Sequence, residues 1–506
     1  MTYGEAVKRP LLTLLLVSGL TLPVAAVSPA AADESAPPAD ALAPFYGQAL
    51  VWEPCTESEC AWLTVPVDYD DPSSASIRLR VSRTVATGPS DSRQGSLVTN
   101  PGGPGVSGLD FASYLADVMD PTVTAEFDVV GFDTRGVGDS APIVCLSGAQ
   151  TTRWLRTDIT PDTAAEQRTL MRRASALAQG CLTRSPEIAR HVGSDDTVRD
   201  MDILRQALGD DRLTFLGFSY GTYLGTRYAE LFPERVGRLV LDGAVDPSLD
   251  IMQISQGQSE GFQLAVTRFA RDCSNRDSCP WAGPARTVLA GLNTVLESLD
   301  QQPLPTDDPR PLVQSQGLSA VFYAMYSPSM WGLLRSALRQ AVRGNGQGLA
   351  ELASYAADQT GPNRYATNMA SAFPAISCWD APAAPGPSGL ASAARRWSRS
   401  AAVPELARAM SWGNAPCSVW FGHSSVPPAP AQTSTTQPIL IVGGTYDPAT
   451  PYRWARSLNR QLSTSQLLTY RGDGHTAYAG ASSCINGAVD DYLLTGAMPP
   501  EGKTCS

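Results

Sequence analysis

The sequence predicts an α/β fold, a mostly parallel sheet with helices on both faces, interrupted by a mostly helical insertion. Three observations carry this. The first is Leu213 to Leu224, L-T-F-L-G-F-S-Y-G-T-Y-L, where an apolar run meets Gly217 and a helical stretch reaches Phe232 before Pro233. Strand, sharp turn and helix with G-x-S-x-G at the turn form a nucleophile elbow. The second is the recurrence of short apolar strands ending in glycine-rich turns on both sides of the elbow. The third is a long central region whose pattern is helical and broken by Pro and Gly.

The elements follow in order. Lys8 and Arg9 precede an apolar run from Leu11 to Leu22, and small residues end at Ala30, Ala31 and Ala32. This reads as a signal peptide over 1–32, cut before Asp33 and too short in its apolar part to span a membrane. Residues 33–43, rich in Ala and Pro, read as a disordered lead-in or pro-segment. Cys60 to Tyr69 and Ile77 to Val85 alternate apolar and polar residues and predict an antiparallel pair opening the sheet. Ser96 to Asn100 predicts a strand that runs into P-G-G-P-G-V-S-G. Four glycines there let the backbone approach a ligand, as an oxyanion loop requires. Phe127 to Phe132 predicts a buried strand leading to D-T-R-G-V-G-D-S, read as a loop tied by an Asp133–Arg135 pair. Thr163 to Leu182 is helical in pattern. A second helix, capped by Ser194 or Asp195, runs to Leu208 and is closed by Gly209. Arg238 to Leu241 is the next strand.

From 245 to 416 strand alternation is scarce. Gly257 to Arg271, Ala285 to Leu299 and Met330 to Val342 predict helices of a cap inserted between core segments 44–244 and 417–506. Pro438 to Val442 resumes a buried strand, a helix follows around Tyr452 to Leu462, and Leu467 to Tyr470 is a last strand ending R-G-D-G-H.

The chain of 506 residues has a formal net charge of −11, which argues against nucleic acid or an anionic membrane surface as partner. Ten cysteines, an even number, follow an export signal and suggest disulfides. Their spacing suggests neighbours: Cys55 with Cys60, Cys145 with Cys181, Cys273 with Cys279, Cys378 with Cys417, Cys484 with Cys505. C-x-x-C is absent and only three histidines exist, so a zinc site is not expected.

A serine nucleophile needs a base, and the base needs an orienting acid. His475, in a glycine-flanked turn after the last strand, fits better than His191 or His423. Asp447, in the turn after the preceding strand, is the leading acid; Asp242 and Asp246 are alternatives. The order Ser219, Asp447, His475 is that of α/β-hydrolases.

On W-x-x-C, C-A-W-L-T-V-P-V-D-Y, N-P-G-G-P-G-V-S-G, F-D-T-R-G-V-G-D-S, G-F-S-Y-G-T-Y-L-G, I-S-C-W-D, G-G-T-Y-D-P-A-T-P and G-H-T, the mature chain resembles the secreted bacterial tripeptidyl aminopeptidases of the proline-iminopeptidase-like α/β-hydrolases. Pro101 stands where proline iminopeptidases usually carry His. The resemblance implies the N–H groups of Gly103 and Tyr220 as oxyanion donors. It also implies hydrolysis at the amino end of peptides without metal or organic cofactor. Two other readings stay open, a prolyl or single-residue aminopeptidase and a carboxylesterase, both using the same triad. A buried substrate ammonium needs a carboxylate partner; Asp380, beside Cys378 and Trp379, is the first candidate and Glu260 the second.

Overall fold

The structure is a computed structural model that describes residues 39–55 and 58–506. The expected signal peptide and most of the lead-in lie outside the described residues.

The sheet strands, in chain order, are β1 (Glu53–Cys55), β2 (Ser58–Pro66), β3 (Ser76–Thr84), β4 (Gly95–Asn100), β5 (Phe127–Phe132), β6 (Leu213–Phe218) and β7 (Val236–Asp242). A cap hairpin supplies β8 (Gln359–Gly361) and β9 (Arg364–Tyr365), and the sheet resumes with β10 (Ile439–Tyr446), β11 (Ser465–Asp473) and β12 (Thr504–Cys505). The ten-stranded sheet has the order β1-β2-β3-β5-β4-β6-β7-β10-β11-β12. Pairing is antiparallel through β5 and parallel from there to β12. This is the α/β-hydrolase fold. The two edge strands, β1 and β12, are additions to what the sequence predicts.

Period-two alternation builds a core on each face. Val98, Val130, Phe215, Leu239, Leu241, Ile439 and Ile441 pack on one side with Leu224 and Tyr228 of the post-elbow helix. Their chain neighbours Leu97, Val129, Leu216, Val240, Leu440 and Val442 pack on the other with Val489 and Tyr492. Because both faces are covered, these strands read as unbroken apolar runs.

Between β7 and β10 the chain forms helices Ile251–Ser274, Ala285–Gln301, Gln314–Met325, Trp331–Ala341, Gln347–Ala356, Met369–Asp380, Pro387–Ser398 and Pro404–Trp412. Several of them enclose a separate apolar core that includes Phe262, Phe269, Leu292, Leu318 and Leu334. The ten cysteines form five bonds: Cys55–Cys60, Cys145–Cys181, Cys273–Cys279, Cys378–Cys417 and Cys484–Cys505. No helix among the described residues is long and apolar enough to cross a membrane.

Two local expectations need correction. Asp133 and Arg135 do not pair. Arg135 is fully buried and donates to Asp200 twice at 2.7 Å, and to the carbonyls of Pro66, Val67 and His191. Tyr69 also donates to Asp200, at 2.7 Å. A buried guanidinium needs all its donors occupied, and a partner two residues away in a tight loop cannot supply that geometry. The second correction concerns the helix Ser194–Leu208. Its N-cap is Gly193, which has no side chain, and the capping carboxylate comes from Asp380, 186 positions later, at 2.7 Å from the Ser194 N–H.

Removing one member of a buried pair strands the other's charge. Arg135→Ala should therefore lower unfolding free energy by about 3–5 kcal/mol, read by denaturant titration.

Candidate active site

The elbow is strained in the expected manner. Ser219 has φ +54° and ψ −120°, a conformation that costs a side-chain-bearing residue roughly 1–3 kcal/mol unless its surroundings hold it. The hold is visible: the Ser219 N–H donates to the Asp242 carbonyl at 2.9 Å. A Cβ at Gly217 would stand 2.5 Å from the Gly221 carbonyl, and one at Gly221 would stand 2.8 Å from that of Asn100. Both positions accept only glycine.

The glycine-rich loop after β4 lies against the elbow. Gly102 has φ +91°, and a Cβ there would meet the Phe218 carbonyl at 2.4 Å and the Tyr220 nitrogen at 3.0 Å. Gly102 donates to the Asn100 side chain at 2.9 Å. The other end of the loop is held by Asp133, which accepts from the Ser107 hydroxyl (2.6 Å), the Gly108 N–H (3.0 Å) and the Asp139 N–H (2.9 Å). Asp133 thus shapes this loop instead of joining Arg135.

At the ends of β10 and β11, Asp447 and His475 meet. His475 Nδ1 is 2.9 Å from each Asp447 oxygen. Asp447 is buried and also accepts from the N–H groups of Ala449 (2.9 Å), Thr450 (2.8 Å) and Thr476 (3.1 Å) and from the Thr450 hydroxyl (3.0 Å). A carboxylate so held places the imidazole proton on Nδ1 and leaves Nε2 as a base. Burial alone would lower the His475 pKa, but the Asp447 charge and hydrogen bond, with the more distant Asp242, carry it above its ordinary value. The cap reaches this histidine: the His475 N–H donates to the Tyr326 carbonyl at 2.8 Å, and the two rings meet edge to face at 5.2 Å.

The alternatives make other contacts. Asp242 accepts the N–H groups of Ala477 and Tyr478, each at 2.8 Å, and burial pushes its pKa up to about 6. Asp246 accepts from Ser248 and Gln461. His191 lends its carbonyl to Arg135, and His423 is exposed beside the Ser424 carbonyl.

A cavity of about 850 Å³ opens above Ser219 and is lined near it by Gly103, Tyr220, Tyr223, Asp380 and Thr450. Asp380 accepts from the Ser194 N–H and hydroxyl and, at 2.8 Å, from the Tyr220 phenol. Burial raises its pKa to about 6 against the pull of the Ser194 and Tyr220 bonds. Glu260 is not at this site: it is half exposed, 2.7 Å from Arg453, and faces a smaller pocket behind Asp447. Thr450 and Tyr326 are contacts that sequence reading missed. D-P-A-T is an Asx-turn pattern in which Thr450 was detectable; Tyr326 carries no local signal.

Comparison with known proteins gives relatives along nearly the whole chain. The profile described as "TAP-like protein" matches residues 403–505. Serine protease Hip1 of Mycobacterium tuberculosis is 36% identical over 489 residues, covering 91% of this chain and 92% of the relative. Carboxylesterase B of the same organism is 35% identical over 525 residues, covering 99% of each. Tripeptidyl aminopeptidase of Streptomyces lividans is 34% identical over 475 residues, covering 90% of this chain and 86% of the relative. The chain belongs to this tripeptidyl-aminopeptidase-like family of α/β-hydrolases and is a serine hydrolase.

Proposed function

We propose that the protein is an exported serine exopeptidase that releases tripeptides from the free amino end of peptides. The observation that carries the reading is the Asp447–His475 pair at adjacent strand ends, on a sheet whose elbow presents Ser219 to a deep cavity. Ser219 Oγ attacks the scissile carbonyl while His475 Nε2 takes its proton. The N–H groups of Gly103 and Tyr220 hold the oxyanion. The intermediate collapses to an acyl-enzyme as His475 protonates the departing amine. Water, deprotonated by His475, then releases the peptide acid and restores the serine. Export is supported by the N-terminal signal pattern and by five disulfides, which persist in oxidising compartments.

Asp380 is the proposed partner of the substrate ammonium. It borders the cavity, and a carboxylate has room for about four donors. One tyrosine side chain separates it from the Tyr220 N–H, and three extended residues cover roughly 10 Å. A carboxylesterase reading has support of its own, since one relative bears that name and the same triad cleaves esters.

Ser219→Ala and His475→Ala should each lower kcat about 10⁴-fold or more without loss of fold, in steady-state assays with circular dichroism as control. Asp447→Asn should be nearly as damaging. Asp242→Asn keeps an acceptor for Ala477 and Tyr478 and should cost tenfold or less; the reverse ranking would move the acid to Asp242.

The base must be neutral to act, so kcat/KM should fall as pH drops through a midpoint above the ordinary imidazole value of 6.5. A midpoint below that value would contradict the Asp447 contact.

Asp380→Asn should lower kcat/KM on a free-amine tripeptide anilide at least about tenfold while sparing a small neutral ester. Equal loss on both substrates would assign Asp380 to holding Tyr220 and not to the amine.

A further inference from the structure

The cavity extends well beyond the elbow. Its lining includes Thr152, Arg156, Gln316 and Tyr365. Arg156 is the C-cap of the helix Gly148–Leu155, and its guanidinium reaches across to the cap. One NH₂ group donates to the Gln316 side-chain oxygen and the other to the Pro311 carbonyl at 2.8 Å. Both acceptors are neutral. Among the described residues no carboxylate lies within ion-pairing distance of Arg156. Asp308 and Glu351 share the cavity lining, each with a partner of its own: Asp308 is held at 3.0 Å by two nitrogens of Arg310, and Glu351 accepts from Gln347 at 2.8 Å.

A guanidinium has five N–H donors; two are used in these bonds, and three have no acceptor among the described residues. Burial and then Arg310 work against the charge on Arg156 and the nearby Asp308 offsets part of that, so an anion arriving at the guanidinium would add a favourable partner. Thr152 and Tyr365, whose hydroxyls meet at 2.7 Å, add neutral hydrogen-bonding groups to the same wall.

The helix Gln314–Met325 measures how far this is from the chemistry. Ser315, Gln316 and Ser319 line the cavity, and Gln316 holds Arg156. Tyr326, which contacts His475, lies ten residues further along, about 15 Å at 1.5 Å per residue. Three extended residues cover roughly 10 Å, and an acidic side chain spans much of the remainder.

We infer that the far end of the cavity is a carboxylate subsite in which Arg156 receives an acidic side chain on the N-terminal residue of the released peptide. This rests on the tripeptide reading and adds a substrate class to it: peptides beginning with Glu or Asp.

The test uses product peptides as inhibitors. Glu-Ala-Ala and Gln-Ala-Ala compete against hydrolysis of a small neutral p-nitrophenyl ester by the mature wild-type enzyme. Glu-Ala-Ala should bind at least tenfold more tightly, with the ratio shrinking as salt is raised. Arg156→Gln should bring the ratio near one, and Arg156→Lys should keep much of it. Equal inhibition by the two peptides, no inhibition by either, or a ratio that survives Arg156→Gln would each overturn the subsite. The wild-type ratio and its salt dependence decide the matter even if a variant folds poorly. Ester turnover does not depend on tripeptide release, so failure of that reading would show separately, as single residues among peptide cleavage products.

Discussion

Asp242 is the joint on which the site depends. Its carbonyl receives the Ser219 N–H and its carboxylate receives two N–H groups from the turn that follows His475. One buried residue at the end of β7 therefore fixes the loops after β6 and β11. The charge is costly there, which is why burial raises its pKa to about 6, and the backbone donors offset part of that cost. Asp447 repeats the arrangement at the end of β10 with three backbone donors, a hydroxyl and the imidazole. The elbow and the Asp447–His475 pair are thus held by main-chain groups at strand ends, which a close-packed parallel sheet keeps in register.

On the proposed reading, selection of substrate belongs to the inserted helices, whose apolar core is separate from those of the sheet. Two of their contacts reach the chemistry closely. Tyr326 meets His475, and Asp380, beside the Cys378–Cys417 bond, joins the Tyr220 phenol to the start of the helix Ser194–Leu208. Cavity shape can vary while the strand ends stay the same. The differing names of relatives of almost equal identity, serine protease, carboxylesterase and tripeptidyl aminopeptidase, are in keeping with that division.

The central strands and the elbow were legible because their signals are local: period two, apolar runs and glycines that no other residue could replace. The Asp447–His475 contact was legible through strand-end positions together with the family resemblance. Three features were not, and each depends on distant chain. Arg135 reads as a loop partner of Asp133 until Asp200 is folded beneath it, 65 positions away. The Asp380 cap on Ser194 replaces a local N-cap that Ser194 or Asp195 would have supplied. Glu260 sits on the expected helix, but Gly257 and Gly261 turn that helix's close-packing face toward Trp454 and Pro448, and Glu260 points to Arg453 instead of the cavity. The short edge strands β1 and β12 hold too few residues for a periodic signal.

The most direct measurement is mass spectrometry of early products from a nine-residue peptide with a free amine, beside its N-acetylated twin. The account predicts the N-terminal tripeptide and the complementary hexapeptide from the free peptide, with the acetylated peptide cleaved at least tenfold more slowly. Single residues, internal cuts, or equal cleavage of the two peptides would contradict it.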